Sequence, residues 1–140
     1  MNDASLDFDW VSSRNECSIS KMFERLRFDI KTDVEKRQQL RERHPQLGFL
    51  NDFSFISKSN KLSVLAQTDG QDRRSIVFSL RGEYIFVLDE NDTELFRATV
   101  TLNNQKQCVL MVDKEELEEW QFRKKALDAI FFANVKGDHH

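Results

Sequence analysis

The sequence predicts an α+β fold, in which a single antiparallel meander sheet of about six or seven strands packs on a C-terminal helix and another helix precedes the sheet. Three observations support this. Residues 19–43 repeat apolar side chains every three or four positions, as one face of a helix does. Residues 53–112 alternate apolar and polar side chains between turn sequences, as hairpin strands do. Residues 114–134 return to helical spacing.

The first elements differ in the clarity of their signals. Leu6, Phe8 and Trp10 alternate with Asp7 and Asp9, which is the pattern of a half-buried strand, so we place a strand at residues 6–11. A clear helix follows over residues 19–43. Its apolar stripe consists of Ile19, Met22, Phe23, Leu26, Ile30, Val34 and Leu40.

The second half of this first helix has a weaker apolar stripe than the first half. Arg37 occupies the stripe position between Val34 and Leu40, so we expect the second half to bury less. Pro45 then ends the helix, because its ring disfavours helical geometry at the preceding residue.

The middle of the chain reads as a β-meander with short joints. We place strands near residues 53–57, 62–67, 75–80, 84–89, 95–102 and 107–112. Gly and Asn tolerate the positive backbone angles of tight turns. The predicted turns are Ser59-Asn60, Asp69-Gly70, Arg81-Gly82, Asn91-Asp92 and Asn103-Asn104.

The last helix is predicted at residues 114–134. Asp113 and Glu116 have the spacing of a capping box, in which each side chain accepts from an amide at the start of the helix. Residues 136–140 form a polar tail that we expect to be disordered.

The order of these elements resembles two known architectures. It is similar to the helix-grip superfamily, in which a first strand and a helical segment precede six strands that curl around a long C-terminal helix. The alternative is a pleckstrin-homology-like barrel, which has seven strands and a C-terminal helix but no natural place for the helix at residues 19–43. The resemblance rests on element order alone, so it implies no functional residue.

Length and composition limit the class of protein. A chain of 140 residues can bury enough surface to fold as one domain, so residues 1–140 are predicted to form a single domain. No apolar run approaches the roughly 20 residues that span a bilayer, and residues 1–5 lack the pattern of a secretory signal. We therefore expect a soluble cytoplasmic protein without a membrane span.

The two cysteines are far apart in the sequence. Cys17 and Cys108 have no Cys-x-x-Cys spacing, which argues against a zinc site or a disulfide framework. Because free cysteine is among the most buried residue types, we expect two buried thiols.

The charge pattern disfavours nucleic acid as a partner. The formal net charge is −3, which gives no general attraction for polyanions. The first helix is rich in Arg and Lys, but acidic residues alternate with them. Mixed signs at helical spacing are typical of a solvated face with local ion pairs.

No residue pattern predicts catalysis, a metal or a cofactor. His44 lies in a charged segment, and the pair His139-His140 has no further ligands beside it. The carboxylate pairs, Asp7 with Asp9 and Glu115 with Glu119, are better explained as solvated strand and helix-start residues. A buried carboxylate with a strongly raised pKa in a cleft would change this interpretation.

The C-terminal helix carries the main functional hint, because its apolar residues lie most of the way round. Such a helix must be covered on more than one side, either by the first helix or by a partner. We take Trp120, Phe122 and Phe132 as a candidate interface, since Trp and Phe are common interface anchors.

Two function classes follow from this helix. The preferred hypothesis is a non-enzymatic protein-interaction module, with self-association as one form of it. The alternative is a small apolar-ligand carrier with a pocket between sheet and C-terminal helix. Side chains that would fill such a pocket are Phe53, Phe55, Phe78, Phe86 and Phe96.

Overall fold

The computed structural model describes residues 8–43, 52–67 and 73–132. Two helices come first, α1 (Trp10–Glu16) and α2 (Ile19–Arg43). Seven strands and a last helix follow: β1 (Asp52–Lys58), β2 (Lys61–Gln67), β3 (Arg74–Arg81), β4 (Tyr84–Leu88), β5 (Glu94–Leu102), β6 (Cys108–Val112), β7 (Glu115–Leu117) and α3 (Glu119–Phe132). The strands form one sheet in sequence order, and all neighbours are antiparallel. The predicted α+β meander is confirmed.

The molecule has two layers, because α2 and α3 both pack on the same face of the sheet, here called the inner face. Alternate strand residues point into this layer and form one core with the apolar faces of the two helices. Fully buried members include Phe23 and Leu26 of α2, Phe78 of β3 and Phe122 of α3. The opposite face of the sheet is called the outer face.

The sheet is open, with β1 and β7 at its two edges. A closed barrel of the pleckstrin-homology type is therefore not formed. Side chains of α2 cover both ends of the β1 edge. Gln38 Oε1 accepts from the Phe53 amide at 2.9 Å, and Arg27 donates to the Lys58 carbonyl at 2.7 Å.

The predicted strand at residues 6–11 is wrong over its described part. Phe8 and Asp9 lie outside any strand, and α1 begins at Trp10. The Asp9 side chain accepts from the Ser12 amide at 3.1 Å, so the polar residue caps a helix instead of lining a strand. No residue of α1 is buried, and the first strand of the helix-grip order is absent from residues 8–11.

The first long helix matches its predicted range of residues 19–43. Its second half, however, does bury its stripe residue: Arg37 is only 3% exposed. The prediction of a less buried second half did not anticipate that a cation would occupy a core position.

The predicted start of the last helix is also wrong. Asp113 has φ 56° and forms a turn with Lys114, after which Glu115 and Glu116 pair with Val112 and Met111 as strand β7. The capping box is therefore absent, and α3 begins at Glu119.

The two cysteines are joined, contrary to the prediction of free thiols. Cys17, between α1 and α2, forms a disulfide with Cys108 at the start of β6, with their Cα atoms 5.3 Å apart. Both lie next to core residues, so helix packing brings together positions separated by 91 residues.

Several predictions fall outside the described residues, namely the Asp69-Gly70 turn, His44, the pair His139-His140 and the disordered tail at residues 136–140. The Ser59-Asn60 turn is confirmed, and Gly82 has φ 59°, which a glycine adopts without steric cost. Within the described ranges, no helix is long and apolar enough to cross a membrane.

Candidate functional site: the groove between α2 and α3

A groove of about 340 Å³ runs between α2 and α3 on the helical side of the molecule. Its apolar lining comes from both helices: Leu40 of α2, and Trp120, Leu127, Phe131 and Phe132 of α3. Its charged lining consists of Asp33, Lys36 and Arg37 of α2, with Arg123, Lys124 and Asp128 of α3. We call this feature the α2–α3 groove.

The structure separates the three candidate interface residues. Trp120 is 52% exposed and lines the groove. Phe132, at the end of α3, is half-buried and lines it too. Phe122 is fully buried between α3 and the sheet, where its ring centroid lies 6.0 Å from that of Phe78, so it belongs to the core and cannot contact a partner.

The first helix covers the second side of α3, as one of the two predicted arrangements requires. Phe122, Ala126 and Ile130 are buried on α3, and so are Leu127 and Phe131, which also line the groove towards α2. Trp120 lies seven residues, about two turns, before Leu127 on the same helix, and it stays exposed at the wall of the groove.

Arg37 ties the closed part of the groove together. Its Nε donates to the Phe131 carbonyl at 2.7 Å, and its guanidinium lies 4.6 Å from the ring centroid of Phe53 and 5.4 Å from that of Phe132. Burial, with a smaller effect from nearby Arg41, lowers the pKa of Arg37 to about 10. Arg37 therefore remains a cation at neutral pH while it packs like a core residue.

A second charged cluster joins the two helices at the groove, where Asp33 and Arg123 form part of the lining. Arg123 of α3 donates from Nη1 to Asp33 of α2 at 2.5 Å and from Nε to Glu119 at 2.9 Å. Burial would lower the pKa of Arg123, but the two carboxylates raise it above its usual value. The guanidinium therefore stays charged and holds α3 against α2.

Glu119 is the titratable residue that the sequence interpretation placed wrongly, as a solvated residue of a helix start. It is 6% exposed, and its pKa is raised to about 7, mainly by burial and also by Asp29, while Arg123 opposes the rise. Glu119 is not part of the groove lining, and Glu115, its predicted partner, is exposed on β7. The two carboxylates therefore do not form an acid–base pair in a cleft.

The space between the sheet and the two helices α2 and α3 is occupied by aromatic side chains. Phe53 and Phe78 are buried, and Phe55 and Phe96 pack against the core, with the Phe96 ring centroid 5.7 Å from that of Phe122. Phe86 differs from the other four because it lies on the outer face. Within the part of the chain that the structure describes, no group of three or more His, Cys, Asp or Glu could hold a metal ion.

Comparisons of the chain with protein families, with curated proteins and with solved structures give no match. The groove is therefore interpreted from its own residues.

The sequence indicated Trp120 and Phe132 but missed the cations beside them. Arg37 and Arg123 contact residues about 90 positions away, which no local spacing predicts. The one available signal was Arg37, a single Arg within the apolar stripe of α2. In a solvated helix such an Arg would interrupt the buried stripe, whereas here Arg37 is buried and belongs to it.

Proposed function

We propose that this protein is a non-enzymatic protein-interaction module whose partner surface is the α2–α3 groove. The observation that carries the proposal is Trp120, which is 52% exposed on the wall of an apolar groove. A large aromatic side chain beside a concave apolar surface is the usual anchor of a protein interface.

The charges of the groove define the partner segment. Asp33 pairs with Arg123, and Asp128 lies 3.6 Å from Lys124, so both acids face a cation of the protein itself. Lys36 is exposed and adds positive charge to the α2 side. A complementary segment has one or two apolar side chains flanked by acidic residues, as amphipathic helices that bind in grooves do.

Quantitative affinity capture tests the proposal with matched baits. Wild type, Trp120→Ala and Trp10→Ala are compared, because Trp10 is 64% exposed on α1 and serves as the control. We expect a partner that wild type and Trp10→Ala retain and that Trp120→Ala loses by at least about 10-fold, a usual effect of removing an interface anchor.

A direct readout follows from the two tryptophans of the chain. In a Trp10→Phe variant, Trp120 is the sole tryptophan, and its emission should shift to the blue when an acidic amphipathic peptide from the captured partner binds. A strict monomer in sedimentation, with no partner that depends on Trp120, would remove the proposal.

A small apolar ligand is the second candidate, favoured by the volume of the same groove. About 340 Å³ lies at the lower end of the range for small-molecule sites. The pocket would then lie between α2 and α3 and not between sheet and helix. Native mass spectrometry decides between the candidates, because a carrier retains a bound small molecule whereas an interaction module does not.

A cytoplasmic location is also part of the proposal, and the Cys17–Cys108 disulfide weighs against it, because reducing compartments usually keep thiols free. Alkylation of thiols in freshly lysed cells tests this. Complete labelling of both cysteines supports the cytoplasm, and absence of labelling supports an oxidising compartment.

A further inference from the structure

The outer face of the sheet carries a row of side chains that only the strand register reveals. Lys58 pairs with Lys61, Lys61 with Ser79, Ser79 with Phe86, and Phe86 with Arg97. Directly paired residues share one face, so these five side chains cross five neighbouring strands, a distance of about 19 Å.

Positive charge is concentrated at one end of this row. Lys58 and Lys61 lie directly opposite each other, an arrangement of like charges that disfavours strand pairing. Arg81 lies on the same face of β3, two residues beyond Ser79. The Leu80 amide donates to the Asn60 carbonyl at 2.9 Å, so the β1–β2 turn adjoins this part of β3.

No described carboxylate forms an ion pair with Lys58, Lys61 or Arg81, whereas Arg97 is neutralised by Glu94 at 2.8 Å. Arg81 uses its Nε to donate to Ser79 Oγ at 3.1 Å and stacks at 5.2 Å from the Phe86 ring centroid. The guanidinium is thus oriented by the protein and can donate to an external anion.

An exposed aromatic ring stands beside these cations. Tyr84 pairs directly with Arg81 across the β3–β4 hairpin and is 42% exposed. Its ring centroid lies 6.0 Å from that of Phe86. Within the described residues, no helix packs on this face: α2 and α3 both lie on the inner face, and α1 makes no extensive contact with any strand.

We propose that this face, composed of Lys58, Lys61, Arg81 and Tyr84, binds single-stranded nucleic acid. The three cations contact phosphates, and Tyr84 stacks with a base, since surfaces of this kind combine a basic track with an aromatic platform. The net charge of −3 is summed over the whole chain and does not set the charge of this face. Glu94 is an acidic neighbour, since it pairs with Arg97 and also interacts electrostatically with Arg81, and Glu83 lies in the β3–β4 turn. The site goes beyond the proposed protein interaction and shares no residue with the α2–α3 groove.

Fluorescence anisotropy with labelled oligouridylate and oligothymidylate of about 12 nucleotides tests the site at about 50 and about 200 mM salt. Three phosphate contacts predict a slope of log affinity against log salt near −2, that is about −0.7 for each contact. Tyr84→Ala should weaken binding by about 5- to 100-fold, while Tyr84→Phe keeps the stacking ring and the affinity.

Charge reversal supplies the matched control. Arg81→Glu should abolish binding. Lys31→Glu replaces a cation by Glu at an exposed position of α2 and lowers the net charge equally. At a salt concentration that screens this general effect, Lys31→Glu should bind within about 2-fold of wild type. Trp120→Ala should bind oligonucleotide normally, so failure of the groove proposal and failure of this one are distinguishable. Circular dichroism verifies that each variant is folded.

Four outcomes would overturn the inference. The first is no binding at about 50 mM salt, and the second is an equal loss of affinity in Arg81→Glu and Lys31→Glu. The third is competition by polyphosphate as strong as by oligonucleotide, with the affinity of Tyr84→Ala unchanged. The fourth is competition by free nucleotide monophosphate as strong as by the strand. The third result would indicate a general polyanion surface, and the fourth a mononucleotide site.

Discussion

Glu119 makes the stability of the protein depend on pH near neutrality. Its pKa is about 7 in the folded chain, against 4.5 for a solvated glutamate. Between these values the folded state binds more protons than the unfolded state. The contribution of Glu119 to the free energy of unfolding is therefore fully present below about pH 4.5 and is lost as the pH rises through 7, by on the order of 2 kcal/mol.

Urea denaturation between pH 5 and 8 measures this effect, with Glu119→Gln and Glu118→Gln as the informative pair. Glu119→Gln removes the titrating group and should flatten the profile, because amide and protonated acid have similar shapes. Glu118 is exposed, so its variant should follow the wild type. An identical decline in wild type and Glu119→Gln would contradict the assignment.

The sequence could identify which residues are apolar but not which polar residues are buried. Trp120 and Phe122 looked equivalent, yet one is half exposed and the other fully buried. Arg37 and Glu119 looked solvated, yet both are buried, because Phe131 contacts Arg37 and Asp29 contacts Glu119 from distant parts of the chain. Such partners depend on tertiary packing.

Among the helices and strands, the periodicity of apolar residues predicted the long helix and the main strands. It did not predict those ends of elements where one short sequence fits two local structures. The residues around Asp113 fit both a capping box and a tight turn. The turn forms because Asp tolerates the left-handed backbone conformation, and the following strand residues then continue the sheet. At Asp9 the opposite happens: the alternation of apolar and polar residues predicted a strand, but the Asp9 side chain caps the start of a helix.

The turn between β6 and β7 can be tested by substitutions that differ only in backbone preference. Asp113 has φ 56°, so Asp113→Val places a β-branched residue in a disfavoured region and should lower the free energy of unfolding by about 1–2 kcal/mol. Asp113→Gly should change it by less than about 0.5 kcal/mol. Thermal unfolding of both variants provides the measurement.

Lys114 is the matched control for this turn, because within the described chain positive φ among non-glycine residues occurs only at Asp92, Lys106 and Asp113. Lys114→Val should therefore cost clearly less than Asp113→Val. Equal losses at the two positions would mean that side-chain contacts, and not the backbone angle, decide the stability of the turn.

At the scale of the whole molecule, the meander could be predicted because each hairpin is local, and consecutive strands on short turns pair in sequence order. The side on which the helices pack follows from the alternating burial of the strands. What could not be predicted are contacts between distant segments. The ion pair of Arg123 with Asp33 and the disulfide both join residues 90 or more positions apart.

The disulfide links two such distant segments covalently, and its contribution to the free energy of unfolding can be measured directly. Closing a loop between residues 91 positions apart removes much conformational freedom from the unfolded chain, which predicts about 4–5 kcal/mol of stabilisation. The core of α2, α3 and the sheet also forms extensive contacts that do not involve either sulfur. We therefore expect a chain without the bridge to fold, with a lower urea midpoint.

Wild type should lose this stability when a dithiol reductant is added, and the Cys17→Ser/Cys108→Ser variant should show the lower midpoint with or without reductant. The single variants Cys17→Ser and Cys108→Ser should match the double variant, because removing either sulfur opens the same loop. A wild-type midpoint that does not respond to reductant, together with two alkylated cysteines in the untreated protein, would show that packing alone holds the start of α2 against β6.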